Sequence, residues 1–299
     1  MLNITDPLVF PSDIFFTHIL PCCSKEFLLA SKDYYNRCRS LVFRDSRFAD
    51  HTTILEWASQ RGHYNLVCQL LDETDATPVR SRGMGAFLDA VQCGQLSIVE
   101  RLLQDPRVDP AFDTSYIFEA CSRGHLGVAA LLLQRPGVGV QTAMETAASC
   151  GNVSIVELLL QRSDLNPWLC GYVGLIYAAD SGKLEVIDRL LLDPRTDPRL
   201  NAMGAAVAYA AAGGHVSCLN RLLQDYRVDP SLGGNFAIQL AASRGQLLAV
   251  ERLLQDERVN PTANNNAALR RAMEANYQAV VDILKQDPRV QATMAEDGL

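Results

Sequence analysis

A glycine preceded four positions earlier by an alanine recurs along this chain of 299 residues at a period of about 31 residues, and that recurrence restricts the fold more than any other feature. The glycines are Gly62, Gly94, Gly124, Gly151, Gly182, Gly214 and Gly245, with Asn276 in the eighth place. The alanines are Ala58, Ala90, Ala120, Ala147, Ala178, Ala210, Ala241 and Ala272. Self-similarity at such a period marks a solenoid, in which no unit buries its apolar face without its neighbours.

Two further columns fill in the unit. Three residues before each alanine stands a large apolar residue: Leu55, Phe87, Ile117, Met144, Leu175, Val207, Ile238 and Leu269. That i, i+3 relation puts both columns on one face of a helix. An invariant methyl group there implies close approach by a neighbouring helix. Eight residues after the anchor comes a leucine in every repeat, from Leu70 to Leu284, with an aliphatic residue three positions before it. This is the buried stripe of a second helix. The glycine between the two ends the first helix, because it adopts positive φ without a Cβ penalty. A stretch such as Gln-Asp-Pro-Arg-Val-Asp-Pro at 104–110 then breaks the second helix and forms a projecting loop or small hairpin.

These residues resemble the ankyrin repeat. Ala241-Ala-Ser-Arg-Gly-Gln-Leu247, followed by Glu251-Arg-Leu-Leu254, is similar to that family's helix–turn–helix core, and so is Ala120-Cys-Ser-Arg-Gly-His-Leu126. The resemblance spans 51–291 and implies an all-α, ankyrin-type helical repeat solenoid of about eight repeats. The family's Thr-Pro-Leu-His signature is missing; one repeat reads Phe236-Ala-Ile-Gln239 there. The bonds between repeats that Thr and His would give must be replaced or lost. Residues 292–299 are expected to be a flexible tail.

Residues 1–50 do not fit the repeat and are expected to form a small helical module. The segment resembles an F-box, with Pro11, Ile14, Ile19, Leu20, Leu28 and Leu29 at the positions of the adaptor-contacting motif. Phe10 replaces the usual leucine, and the closing tryptophan is absent. The resemblance implies docking to a Skp-type adaptor of a cullin-RING ubiquitin ligase. The other reading is a cap over the apolar end of the solenoid. Both stand on sequence.

Chemistry is sparse. His63, His125 and His215 all follow a repeat glycine, so they belong to the repeat geometry. No His-Glu-x-x-His pair, P-loop or Gly-x-Ser-x-Gly stands in the chain. A protein-binding protein is expected, not an enzyme, with no cofactor or metal. A net charge of −7 argues against nucleic acid or an anionic membrane as partner. Nine cysteines without Cys-x-x-Cys fit reduced thiols packed as small apolar groups, and hence the cytoplasm or nucleus. The arginines of the Asp-x-Arg loops, such as Arg107, Arg195, Arg227, Arg258 and Arg289, are expected to pair with their own aspartates along an exposed edge, at little gain per pair.

Recognition should lie where the columns vary. Ten residues before the anchor the chain carries Met84, Tyr172, Asn235 and Asn266 among others, and two before it Asp180. In the ankyrin family these places line the concave face, so a protein partner is expected there. Trp168 and Phe112 follow the loop proline or lie beside it, and are candidate aromatic anchors. For Trp168 the alternative is packing on Leu165 or Leu169.

Overall fold

A computed structural model describes residues 51–73, 85–163, 165–166, 168–196 and 204–297. Within them the chain forms 17 α-helices and no strand. The chain divides into two compact units at Asp113 and Thr114. The first unit holds α1 (His51–Arg61), α2 (Tyr64–Glu73), α3 (Ala86–Gln92) and α4 (Leu96–Leu102). The second runs from α5 (Ser115–Ser122) and α6 (Leu126–Leu133) through α7 (Val140–Cys150) and α8 (Val153–Leu160). It continues with α9 (Leu175–Asp180), α10 (Leu184–Leu192), α11 (Ala205–Ala212) and α12 (Val216–Leu223). It ends with α13 (Leu232–Ser243), α14 (Leu247–Leu254), α15 (Ala263–Glu274), α16 (Gln278–Gln286) and α17 (Pro288–Asp297). Odd numbers from α1 to α15 are first helices of a repeat and even numbers are second helices. Residues 1–50, with the proposed adaptor-contacting positions, lie outside the described residues, as does Met84.

Every alanine of the column has zero exposure, and so has every leucine of the second-helix column. Within each unit, successive first helices pack side by side through the alanines. The anchor glycines have φ between 68° and 84°, and Asn276 has φ 60°. Each closes a Schellman turn. The N–H after the anchor donates to the carbonyl of the column alanine, as in Gln95 to Ala90, His215 to Ala210 and Tyr277 to Ala272, all at 2.9 Å. The alanine column thus serves twice: its methyl admits the next helix, and its carbonyl receives the cap. Glycine is needed for a second reason as well. A Cβ on Gly214 would lie 2.4 Å from Gln246 Oε1, because the residue after the next anchor lies over this glycine, as it also does at Gly62, Gly124, Gly151, Gly182 and Gly245.

The bonds between repeats are replaced, not lost. At the turns, His215 Nε2 meets Asp180 O at 2.9 Å, and Asn152 Nδ2 donates to Cys121 O. Along the second helices, Arg189 Nε donates to Glu157 at 2.9 Å, Arg221 Nε to Asp188 at 2.6 Å and Arg252 Nε to Asn220 Oδ1 at 2.6 Å. The loops carry the strongest set. Each Asp-x-Arg aspartate accepts its arginine's backbone N–H, as in Asp256 to Arg258 at 3.1 Å, and also pairs with the guanidinium. The same guanidinium then reaches back one repeat. Arg258 donates to Val228 O at 2.8 Å and Leu223 O at 3.0 Å; Arg289 donates to Val259 O at 2.9 Å and Leu254 O at 3.1 Å. Arg227 reaches Thr196 O and Leu191 O, and Arg195 reaches Arg162 O and Leu160 O. Leu160, Leu223 and Leu254 are the last residues of α8, α12 and α14. These arginines therefore cap orphan carbonyls at the negative end of the preceding repeat's second helix. The sequence expectation of simple pairing along an exposed edge understates this. The aspartate aims the arginine, and the arginine joins two repeats.

Of the two forms expected for the loops, the described residues show the first, turns with no hairpin strands. Two other expectations need correction. The tail expected from 292 is helical to Asp297, and Thr293 is bonded to Asn266. Cys121 and Cys218 are buried, but Cys93 and Cys150 are exposed rather than packed.

Candidate functional site

The variable columns divide by repeat. In repeats 6 to 8 the position ten before the anchor holds Gly204, Asn235 and Asn266, at φ 64°, 63° and 54°. A shared left-handed conformation unites them, and glycine and asparagine are the residues that adopt it most readily. Gly233 to Asn235 and Asn264 to Asn266 each run three residues in this conformation before the regular helix begins. Asn235 is 7% exposed and Asn266 5% exposed. Asn235 Oδ1 accepts the Asn260 N–H at 2.6 Å, and Asn266 Nδ2 donates to Thr293 Oγ1 at 3.0 Å. Both were expected on an open recognition face. They are instead buried pins between a repeat and the segment that follows it. A column reading Gly, Asn, Asn was the signal for positive φ in the sequence.

Repeats 4 to 6 keep side chains at the surface. Trp168 precedes a π-helical stretch, Leu169–Gly174, that leads into α9. Asn166 Oδ1 accepts the Trp168 N–H at 2.9 Å and fixes the start of this stretch. Trp168 is 39% exposed, and its ring stacks on Tyr172 with centroids 5.0 Å apart and planes at 14°. Leu165 is buried, so the loop anchors itself through the leucine and leaves the tryptophan at the surface. Tyr177 on α9 and Tyr209 on α11 each stand five residues before their glycine and are each 40% exposed. Asp180 is exposed one turn beyond Tyr177 on the same helix. Glu145 comes from α7, which packs beside α9. Burial, then the charges of Glu145 and Asp180, raise the Tyr177 phenol above its ordinary pKa; Tyr172 and Tyr209 add to this.

Phe112, in the first unit, is 73% exposed after an Asx turn in which Asp109 accepts the Ala111 N–H at 2.9 Å. Of the residues named from sequence, the structure thus stacks Trp168 on Tyr172, sets Asp180 one turn beyond Tyr177, places Phe112 by itself, and buries Asn235 and Asn266. Sequence reasoning missed Glu145, Tyr177 and Tyr209. Two tyrosines at one register of adjacent repeats were the available sign.

No group of three or more His, Cys, Asp or Glu side chains among the described residues could hold a metal ion. His215 is engaged with the preceding repeat, as its place after the glycine suggested. No described helix is long and apolar enough to cross a membrane.

The family model described as "Ankyrin repeats (3 copies)" matches the chain in four overlapping stretches, at residues 87–169, 143–233, 175–263 and 207–294. The chain belongs to the ankyrin repeat family. The first repeat lies before the matched residues, but Ala58, Gly62 and the His63-to-Ala58 bond give it the same turn. No curated protein matches the chain. Ankyrin repeats imply a protein–protein interaction scaffold.

Proposed function

We propose that this ankyrin scaffold binds its partner on the first-helix face of repeats 4 to 6. One contrast carries the reading. On the second helices of the second unit, Glu157 and Asp188 pair with arginines of the next repeat, and in its loops Asp193, Asp225 and Asp256 aim arginines that bond to the preceding repeat. On the first helices of repeats 5 and 6, Tyr177 and Tyr209 stand exposed, and Glu145 and Asp180, whose charges bear on Tyr177, have no ion pair among the described residues. Rings of this kind are the usual energetic anchors of an interface. Affinity purification with mass spectrometry, run in parallel on the wild-type chain and on Tyr177→Ala/Tyr209→Ala, tests it. A partner captured by the wild type and lost by the folded variant supports the reading; undiminished capture refutes it.

The finer proposal is that the chain is a substrate receptor of a cullin-RING ligase. What supports it is the F-box resemblance of residues 8–45, at Pro11, Ile14, Ile19, Leu20, Leu28 and Leu29. The expected outcome is co-purification of the full chain with a Skp-type adaptor, abolished by Leu28→Ala/Leu29→Ala while the repeats stay folded. Absence of wild-type capture would leave the plain scaffold, with residues 1–50 as a cap.

A further inference from the structure

We propose that the first-helix face of repeats 4 to 6 docks an arginine-bearing segment of a protein partner, with guanidinium groups held between the rings of Trp168, Tyr172, Tyr177 and Tyr209 and the carboxylates of Glu145 and Asp180. The inference rests on the scaffold reading above and names the chemistry of what the scaffold holds.

Charge complementarity is the first argument. The chain carries −7 overall, and Glu157, Asp188, Asp193, Asp225, Asp256 and Asp287 of the second unit's second helices and loops each hold an arginine. Glu145 accepts the amide of Gln141 at 2.8 Å, a neutral donor, and Asp180 has no ion pair among the described residues. These two carboxylates flank Tyr177 from one side of α9 and from α7. The charges of Glu145 and Asp180 bear on this phenol, and so do the Tyr172 and Tyr209 phenols. A cation from outside would be attracted by the Glu145 and Asp180 carboxylates and by the aromatic faces.

The rings supply the second argument. A guanidinium is planar, weakly hydrated and stacks on aromatic faces, while its fork of N–H donors meets a carboxylate in two bonds. Lysine, a compact and strongly hydrated ammonium, does only part of this. Tyr177 and Tyr209 occupy one register on adjacent packed helices, so their rings form a short row across two repeats. Trp168 and Tyr172 extend the aromatic surface through the π-helical stretch. Such a stretch replaces regular helix at a cost, and is found most often where function requires it.

The test uses the full chain and a fluorescein-labelled (Gly-Arg)4 peptide, titrated by anisotropy at physiological salt, with (Gly-Lys)4 and (Gly-Glu)4 beside it. The inference expects (Gly-Arg)4 to bind, (Gly-Lys)4 to bind more weakly and (Gly-Glu)4 not to bind. Glu145→Gln/Asp180→Asn keeps side-chain shape and should weaken (Gly-Arg)4 about tenfold, as should Tyr177→Ala. Glu251→Gln removes one acidic charge from the second helix of repeat 7, and should leave affinity unchanged. Circular dichroism on each variant confirms the fold. No binding of (Gly-Arg)4, equal losses at Glu251 and at the face, or no loss in the Glu145/Asp180 variant would each overturn the inference. If a cellular partner is lost on changing Tyr177 and Tyr209 while (Gly-Arg)4 never binds, this inference falls and the scaffold reading stands.

Discussion

Arg258→Ala is the perturbation that most directly tests how this repeat array is held together. The guanidinium pairs with Asp256 at 2.8 Å and donates to Leu223 O and Val228 O of the preceding repeat. A bond from a charged donor contributes about 1.5–3 kcal/mol when well shielded. The Arg258 side chain is 38% exposed, so solvent screening lowers each contribution. Against this, the Asp256 side chain is only 9% exposed, and removal of the arginine leaves its charge with one backbone N–H. The carbonyl at the end of α12 also loses its cap. A loss of about 2–3 kcal/mol follows, read as a lowered midpoint in urea. Because the bonds join repeats 6 and 7, the loss falls on one interface of a nearly one-dimensional array. Arg258→Lys keeps the charge but not the fork, and should lose about half as much. Arg135→Ala removes an exposed arginine with no clamp, and should stay within about 0.5 kcal/mol. A loss at Arg258 no larger than at Arg135 would refute the reasoning.

The same clamp has a pH signature. The Arg258 guanidinium holds the Asp256 carboxyl below the usual carboxylate range, and burial opposes it only in part. A carboxyl depressed on folding adds stability above its unfolded value, near 4, and loses it as pH falls through the folded value. Asp105, Asp193, Asp225 and Asp287 are lowered in the same way, each first by its own arginine. The gap between wild type and Arg258→Ala should therefore be full at pH 7 and shrink below about pH 4. A gap that persists unchanged in acid would show that the carboxylate plays no part.

Ala210→Leu should cost roughly 1–3 kcal/mol by overpacking two first helices, while Tyr226→Ala, at a residue 91% exposed, should stay within about 0.5 kcal/mol. Equal effects in a denaturant titration would count against the alanine register. Asn266→Ala should cost more than Asn266→Gly, since both lose the Thr293 bonds but only alanine resists φ near 54°, by about 1 kcal/mol. Trp168→Ala should shift the melting temperature only slightly, because the ring gives up one stacked contact, of about 1 kcal/mol. It should weaken (Gly-Arg)4 binding severalfold; a large fall in melting temperature with intact binding would make the ring a packing element alone.

The repeat, its two helices and its turn were legible because they rest on local rules that the sequence states eight times. An alanine can be read as close approach, and a glycine as positive φ, without knowing what lies across the interface. The arginine clamp was half legible. Asp-x-Arg pairing is local, but the reach to Leu223 and Val228 depends on the stacking offset, which no single repeat encodes. Asn235 and Asn266 were misplaced for a related reason. Their variability beside Tyr172 and Gln141 looked like freedom for recognition, whereas in repeats 6 to 8 it reflects a left-handed start to the first helix. Glu145, Tyr177 and Tyr209 were missed because they become neighbours only when α7, α9 and α11 pack together.

The two findings bear on each other. In an array where every repeat obeys the same packing rules, the residues that define binding must be those the rules leave free. Here the loops cap the preceding helices through arginine, the second helices exchange ion pairs, and the turns cover one another through the residue after glycine. Each of these ladders consumes acidic or polar side chains in the act of joining repeats. Glu145 and Asp180, on first helices, take no arginine from either neighbour, although arginine fills comparable carboxylates elsewhere in the same unit. Tyr177 and Tyr209 keep two fifths of their surface open beside them. What the ladders do internally with the array's own arginines, this face is left to do with arginines supplied from outside.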